Sequence, residues 1–123
     1  MASDECYLDF GWEAEPVSVL HPSVTGGEHT GVLAVHSLSK RSNLAGVRVG
    51  FYAGDGELVD YLREVRKHAG FMVPGPVQAA AIAALADDRH VDEQRARYLS
   101  RLERLRSILR IGLDLDVELP AGA

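Results

Sequence analysis

Lys40 ends the run His36-Ser-Leu-Ser-Lys40, which follows a stretch of apolar residues from Val32 to Val35. Arg48 stands eight residues beyond the lysine, at the head of a second apolar stretch, and the hydroxyls of Ser37 and Ser39 flank the lysine. A lysine amine is a nucleophile toward carbonyls once it is deprotonated. A guanidinium offers a planar, permanently charged fork to a phosphate, and a serine hydroxyl adds a neutral donor. An amine set beside such anion-binding groups is what a phosphate-bearing aldehyde needs. The combination points to pyridoxal 5'-phosphate.

The elements that must position these groups can be read from period and punctuation. Residues 3–10 read as a strand end running into a loop, and residues 11–31, with Pro16, Pro22 and Gly26-Gly27, as irregular chain. The short, turn-bounded run Val32–Val35 suits a strand buried on both faces. A second strand is expected over 46–53, with Arg48 inside it, ending at Gly54-Asp55-Gly56. Leu58, Leu62, Val65 and Ala69 then fall on one stripe of a helix, with Asp55 as its cap. Pro74-Gly-Pro76 breaks the chain, and Pro76 suits the first turn of a new helix whose body, 77–86, is apolar nearly all round and so expected to be buried. Residues 91–111 predict the longest helix, with Tyr98, Leu102, Leu105 and Leu109 on one face and Gly112 as its stop. The alternation over 115–119 reads as a half-exposed strand.

Composition excludes several classes. The chain has 123 residues, 46% of them hydrophobic, which is ordinary for one globular domain. With 13 basic against 18 acidic residues its net charge is −5, so it has no electrostatic reason to bind nucleic acid or an anionic membrane. The single cysteine, Cys6, cannot form an internal disulfide, which suits the cytoplasm. No apolar run approaches the length of a membrane span, and Asp4 and Glu5 stand where a signal peptide would be basic and then apolar. The five histidines lack metal-ligand spacing, so no metal site is expected. The arginines of 91–111 have no interleaved aromatics and read as a solvated helix face.

Three elements in order, Asp4-x-x-Tyr7, Ser37-x-Ser39-Lys40 and Gly46-x-Arg48-x-Gly50, resemble the class I/II aminotransferases among the fold-type-I pyridoxal phosphate enzymes. The resemblance implies an α/β fold, a mostly parallel sheet flanked by helices. It implies that Lys40 binds the cofactor aldehyde covalently and then shuttles a substrate proton. Asp4 would pair with the pyridine nitrogen, Tyr7 would donate to the phenolic oxygen, and Ser37 and Arg48 would anchor the phosphate. Taken alone, Asp4 reads equally as a turn residue and Tyr7 as a sheet-edge aromatic. The resemblance further implies amino-acid and keto-acid substrates and, for the full-length protein, a cytoplasmic homodimer. Residues 1–90 would be the C-terminal half of a large cofactor-binding domain, 91–112 a long linking helix, and 113–123 the truncated start of a small domain.

The stretch Arg66-Lys-His-Ala-Gly-Phe-Met-Val-Pro-Gly-Pro-Val-Gln-Ala-Ala, with Asp87-Asp88-Arg89-His90-Val91 after it, resembles the actinobacterial N-succinyldiaminopimelate aminotransferases. That likeness implies exchange of an amino group between glutamate and an N-succinylated six-carbon keto acid of lysine biosynthesis. Aspartate-type and kynurenine-type aminotransferases and carbon–sulfur lyases share the same cofactor residues and stay open. The family's glycine-rich phosphate segment, its ring-stacking aromatic and its carboxylate-binding arginine have no counterpart here. Both ends therefore look cut from something larger, and the isolated chain is expected to be inactive. A gene remnant, or a module binding a phosphate or a partner, is the non-enzyme alternative.

Overall fold

A cross-strand ladder built on the Val32–Val35 run organises the chain. In the computed structural model, which describes residues 1–70 and 72–122, strand β2 covers Leu33–Ser37 and lies between β1, Ala2–Asp4, and β3, Gly50–Gly54. β1 runs parallel to β2 with Asp4 opposite Val35, and β3 runs antiparallel with Gly50 opposite Ser37. The sheet is thus mixed. Helices α1, Pro22–Thr25, α2, Leu38–Arg41, α3, Gly56–Ala69, α4, Gly75–Leu85, and α5, Arg89–Leu113, complete the α/β arrangement.

Close backbone approach sets the ends of β3. A Cβ on Gly54 would lie 2.2 Å from the Val32 carbonyl oxygen, and its φ of 138° is open only to glycine. Beyond it, Asp55 caps α3 as expected, its carboxylate accepting from Glu57 N at 2.9 Å and Leu58 N at 3.4 Å. The same side chain accepts from Gly31 N at 2.6 Å. The cap therefore also ties the start of α3 to the turn before β2.

Five expectations need correction. The strand expected over 46–53 begins only at Gly50, because Ala45–Val47 form a 3-10 turn and Arg48 takes a left-handed φ of 58°. Arg48 therefore lies outside the strand. β2 is covered on one face only: Ala34 is fully buried while Val35 is 41% exposed. The all-round apolar helix α4 buries Ala81 alone, with Val77 and Ala84 half-buried beside it. Ile82 and Leu85 face outward, since no described element packs on that side. α5 passes through Gly112 and closes at Asp114, whose left-handed backbone puts its N–H on Leu109 O. Finally, residues 115–119 form no strand. Alternation makes a strand only where a partner offers a ladder, and the sole pairing nearby is the isolated bridge between Gly11 and Gly122.

α1 was not anticipated, although its signals are local: Pro22 in the first turn, His21 accepting from Ser23 N at 3.2 Å, and Gly26 left-handed at the end. The hydrophobic centre is small. Leu38, Val49 and Ala81 are buried together, with Leu44, Val47, Val73 and Val77 around them. This cluster lies directly beneath the segment that carries Lys40.

Candidate active site

The candidate residues collect at the C-terminal ends of the parallel pair β1 and β2, the end of an α/β sheet where ligands bind. Asp4 closes β1, and its Oδ1 accepts from Cys6 N at 3.1 Å. The Cys6 thiol, and after it the Cys6 backbone N–H, hold the Asp4 carboxyl below its ordinary range. The same contact pushes the Cys6 thiol up. Cys6 also hydrogen-bonds the Ser37 side chain, so it stands between the two expected cofactor ligands. Its place in the sequence signalled no such role.

Ser37 ends β2 and caps α2, its Oγ accepting from Ser39 N at 3.1 Å. That cap turns the chain from strand to helix and puts Lys40 on the first turn, with Leu38 buried beneath as the anchor. The Lys40 ammonium is exposed and sits 5.8 Å from the centre of the Tyr7 ring, within cation–π range. Tyr7 itself packs edge-on against Phe10 with centroids 6.3 Å apart.

Arg48 is exposed, and its Nη1 donates to Ala45 O at 2.9 Å, so the guanidinium bonds its own turn. Ser37, Ser39, Arg48 and Cys6 line one cleft of about 600 Å³. Lys40 and Tyr7 line a neighbouring cavity of about 330 Å³ with Phe10, Trp12 and Tyr98. The structure therefore brings the hydroxyls and the guanidinium together, and the amine and the phenol together. Asp4 joins the first group through Cys6.

The sequence profile for aminotransferase class I and II matches residues 1–122. The chain belongs to the class I and II aminotransferases. A probable aminotransferase of Mycobacterium tuberculosis is 67% identical over 101 residues, 82% of this chain and 24% of that protein. The 4-dedimethylamino-4-oxo-anhydrotetracycline transaminase of Streptomyces rimosus is 58% identical over 122 residues, 99% of this chain and 34% of that protein. Among solved structures, an aminotransferase from Neisseria meningitidis superposes with a TM-score of 0.86 at 38% identity, over 99% of this chain and 31% of its own. The chain thus spans between a quarter and about a third of the length of the relatives it matches. The fold is that of a fold-type-I aminotransferase, and the family depends on pyridoxal phosphate.

Within this aminotransferase segment, several groups that position the lysine escaped sequence reasoning. Arg41, next to Lys40, pairs with Asp88 and with Asp9 at 3.6 Å, and donates to Ala84 O at 3.3 Å. His90 Nε2 meets Ser42 Oγ at 2.9 Å, and Tyr98 OH donates to Asn43 Oδ1 at 3.3 Å. These bonds fasten α2 and the turn after it to the end of α4 and to α5. Their partners are far apart in sequence, so no local pattern marks them. Among the described residues no group of His, Cys, Asp or Glu could hold a metal ion, and no helix is long and apolar enough to cross a membrane.

Proposed function

We propose that this chain is the lysine-bearing part of a pyridoxal phosphate aminotransferase that exchanges an amino group between glutamate and a keto acid. The observation that supports it most is the single turn from Ser37 to Arg48, which sets the Lys40 amine beside a cleft of hydroxyls and a guanidinium. That donor set fits a phosphate monoester carrying an aldehyde. When bound, pyridoxal phosphate supplies an aldehyde to take up the amino group and a ring to accept the electrons left at Cα.

The chain's own residues do the rest. Lys40 Nζ binds the aldehyde, is released by the incoming amino acid, and then takes and returns the substrate Cα proton. Arg48 and Ser37 hold the phosphate, the guanidinium leaving Ala45 O to do so. Asp4, an ionised carboxylate at neutral pH, holds a proton on the ring nitrogen. Tyr7 donates its hydroxyl to the phenolic oxygen. Residues 1–90 would belong to the cofactor domain, 91–112 to the linking helix and 113–123 to the small domain, within a cytoplasmic homodimer.

For the substrate, the stretches Arg66–Ala80 and Asp87–Val91 support N-succinyl-LL-2,6-diaminopimelate. A second reading, a polycyclic ketone, is favoured by the 58% identity to the Streptomyces rimosus transaminase. The test is to supply the complete protein that carries this chain with glutamate and each keto acceptor in turn and follow 2-oxoglutarate. Turnover on the succinylated acceptor alone supports the first reading, and turnover on the polycyclic ketone alone replaces it. The Arg48→Ala variant should bind cofactor more weakly while borohydride still fixes the label on Lys40. An unchanged dissociation constant would remove Arg48 from the phosphate site.

A further inference from the structure

Glu5 is the one charged residue that the described chain buries, at 7% exposure. It lies between Asp4 and Cys6, and its N–H donates to Val35 O at 2.8 Å, continuing the parallel pairing one residue past β1. Its two carboxylate oxygens go to different places. Oε1 accepts from Val19 N at 2.7 Å, which straps the loop before α1 onto the strand end. His29 Nε2 meets Leu20 O at 3.0 Å on the other side of that strap. Oε2 is buried without a hydrogen bond among the described residues and lies 3.5 Å from His36 Nε2. The His36 ring in turn lies flat on Phe51, with centroids 4.7 Å apart and planes at 19°.

A carboxylate out of water is costly unless paired, and an apolar side chain of similar size would fill such a space with no such cost. Stability alone therefore does not call for Glu5. What its two oxygens do is join the residue after Asp4 to the residue before Ser37. We propose that Glu5 is a positioning residue for the cofactor site, its carboxylate clamping the ends of β1 and β2 through His36 so that Asp4 and Ser37 stand at a fixed separation. This rests on the reading of Asp4 and Ser37 as cofactor ligands given above.

The test uses the complete protein and three variants. Glu5→Gln can still accept from Val19 N but carries no charge, His36→Phe keeps the ring stack without the cation, and His36→Arg keeps a cation. Pyridoxal phosphate affinity is read by absorbance titration, the Val19 amide by hydrogen exchange, and Lys40 labelling by borohydride reduction and peptide mapping. Glu5→Gln and His36→Phe should each bind cofactor about tenfold more weakly, the size of one charge-assisted hydrogen bond. His36→Arg should stay within about twofold of the parent, and Val19 should keep its protection in Glu5→Gln. Parent-like affinity in Glu5→Gln and His36→Phe, or a loss in His36→Arg as large as in His36→Phe, would overturn the positioning role. So would losses that merely follow the melting temperature. If the parent forms no Lys40 adduct, the function itself is wrong and the positioning role falls with it. An adduct on Lys40 that is indifferent to Glu5 sinks only the latter.

Discussion

The corner from Leu33 to Gly54 and the helical stretch from Gly75 to Leu113 use apolar residues in opposite ways. In the corner, Ala34, Leu38 and Val49 are buried, and the chain between them is fixed by short-range bonds: Leu38 N to Val49 O at 3.2 Å and Leu44 N to Leu38 O at 3.1 Å. In the helices, Ile82 is 70% exposed and Ile111 82%. The corner is therefore closed by contacts it contains, whereas α4 and α5 present apolar surface that nothing in the described chain covers. Geometry that a reaction depends on is held where the chain is self-sufficient.

The largest test of that contrast is Lys40→Ala. Borohydride reduction with pyridoxal phosphate, followed by peptide mapping, should place all label on Lys40 in the parent and none in the variant. Label that moves undiminished to Lys67 on α3 would mean that the corner confers no special reactivity. Next in size is Leu38→Ala, which removes the most buried large side chain, at 1% exposure, and should cost about 3 kcal/mol in urea unfolding. An effect no larger than that of a surface substitution would show that the small centre under Lys40 does not hold the corner together.

Asp55→Asn comes third and has a sign in pH. The Gly31 N–H, with lesser help from Leu58 and Glu57, holds the folded carboxyl below its ordinary value. Its stabilisation is thus complete above the unfolded value and is lost as pH falls through the folded one. The variant should melt below the parent at neutral pH, and the two melting curves should converge in acid. A constant gap at every pH would refute the charge in that cap. The smallest effect belongs to Ile82→Gln, expected within about 0.5 kcal/mol because the side chain is already in water. A large loss of stability would show that α4 is covered in solution.

How much was legible divides along the same line. The Asp55 cap and Pro76 in the first turn of α4 were readable because each depends on bonds within a few residues. The motif residues from Asp4 to Arg48 were readable as a set because their order and spacing are shared with a family. Arg48 was misplaced in a strand because apolar neighbours mimic one, and only the turn at Ala45–Val47 reveals the left-handed backbone. Residues 115–119 and the outer face of α4 carry patterns that require neighbours, and periodicity states the requirement without supplying them. The Arg41, His90 and Glu5 links join positions that no sequence window holds together.

The left-handed backbone at Arg48 has a consequence for selection. Outside glycine that conformation costs about 1 kcal/mol, and the residue is exposed, so packing does not oblige arginine there. A library screened for heat resistance alone would enrich Arg48→Gly, with no cavity to penalise the change. The same library screened for retention of a phosphate ester would discard it. Two such screens, run side by side, would weigh one side chain's usefulness against its own backbone's comfort.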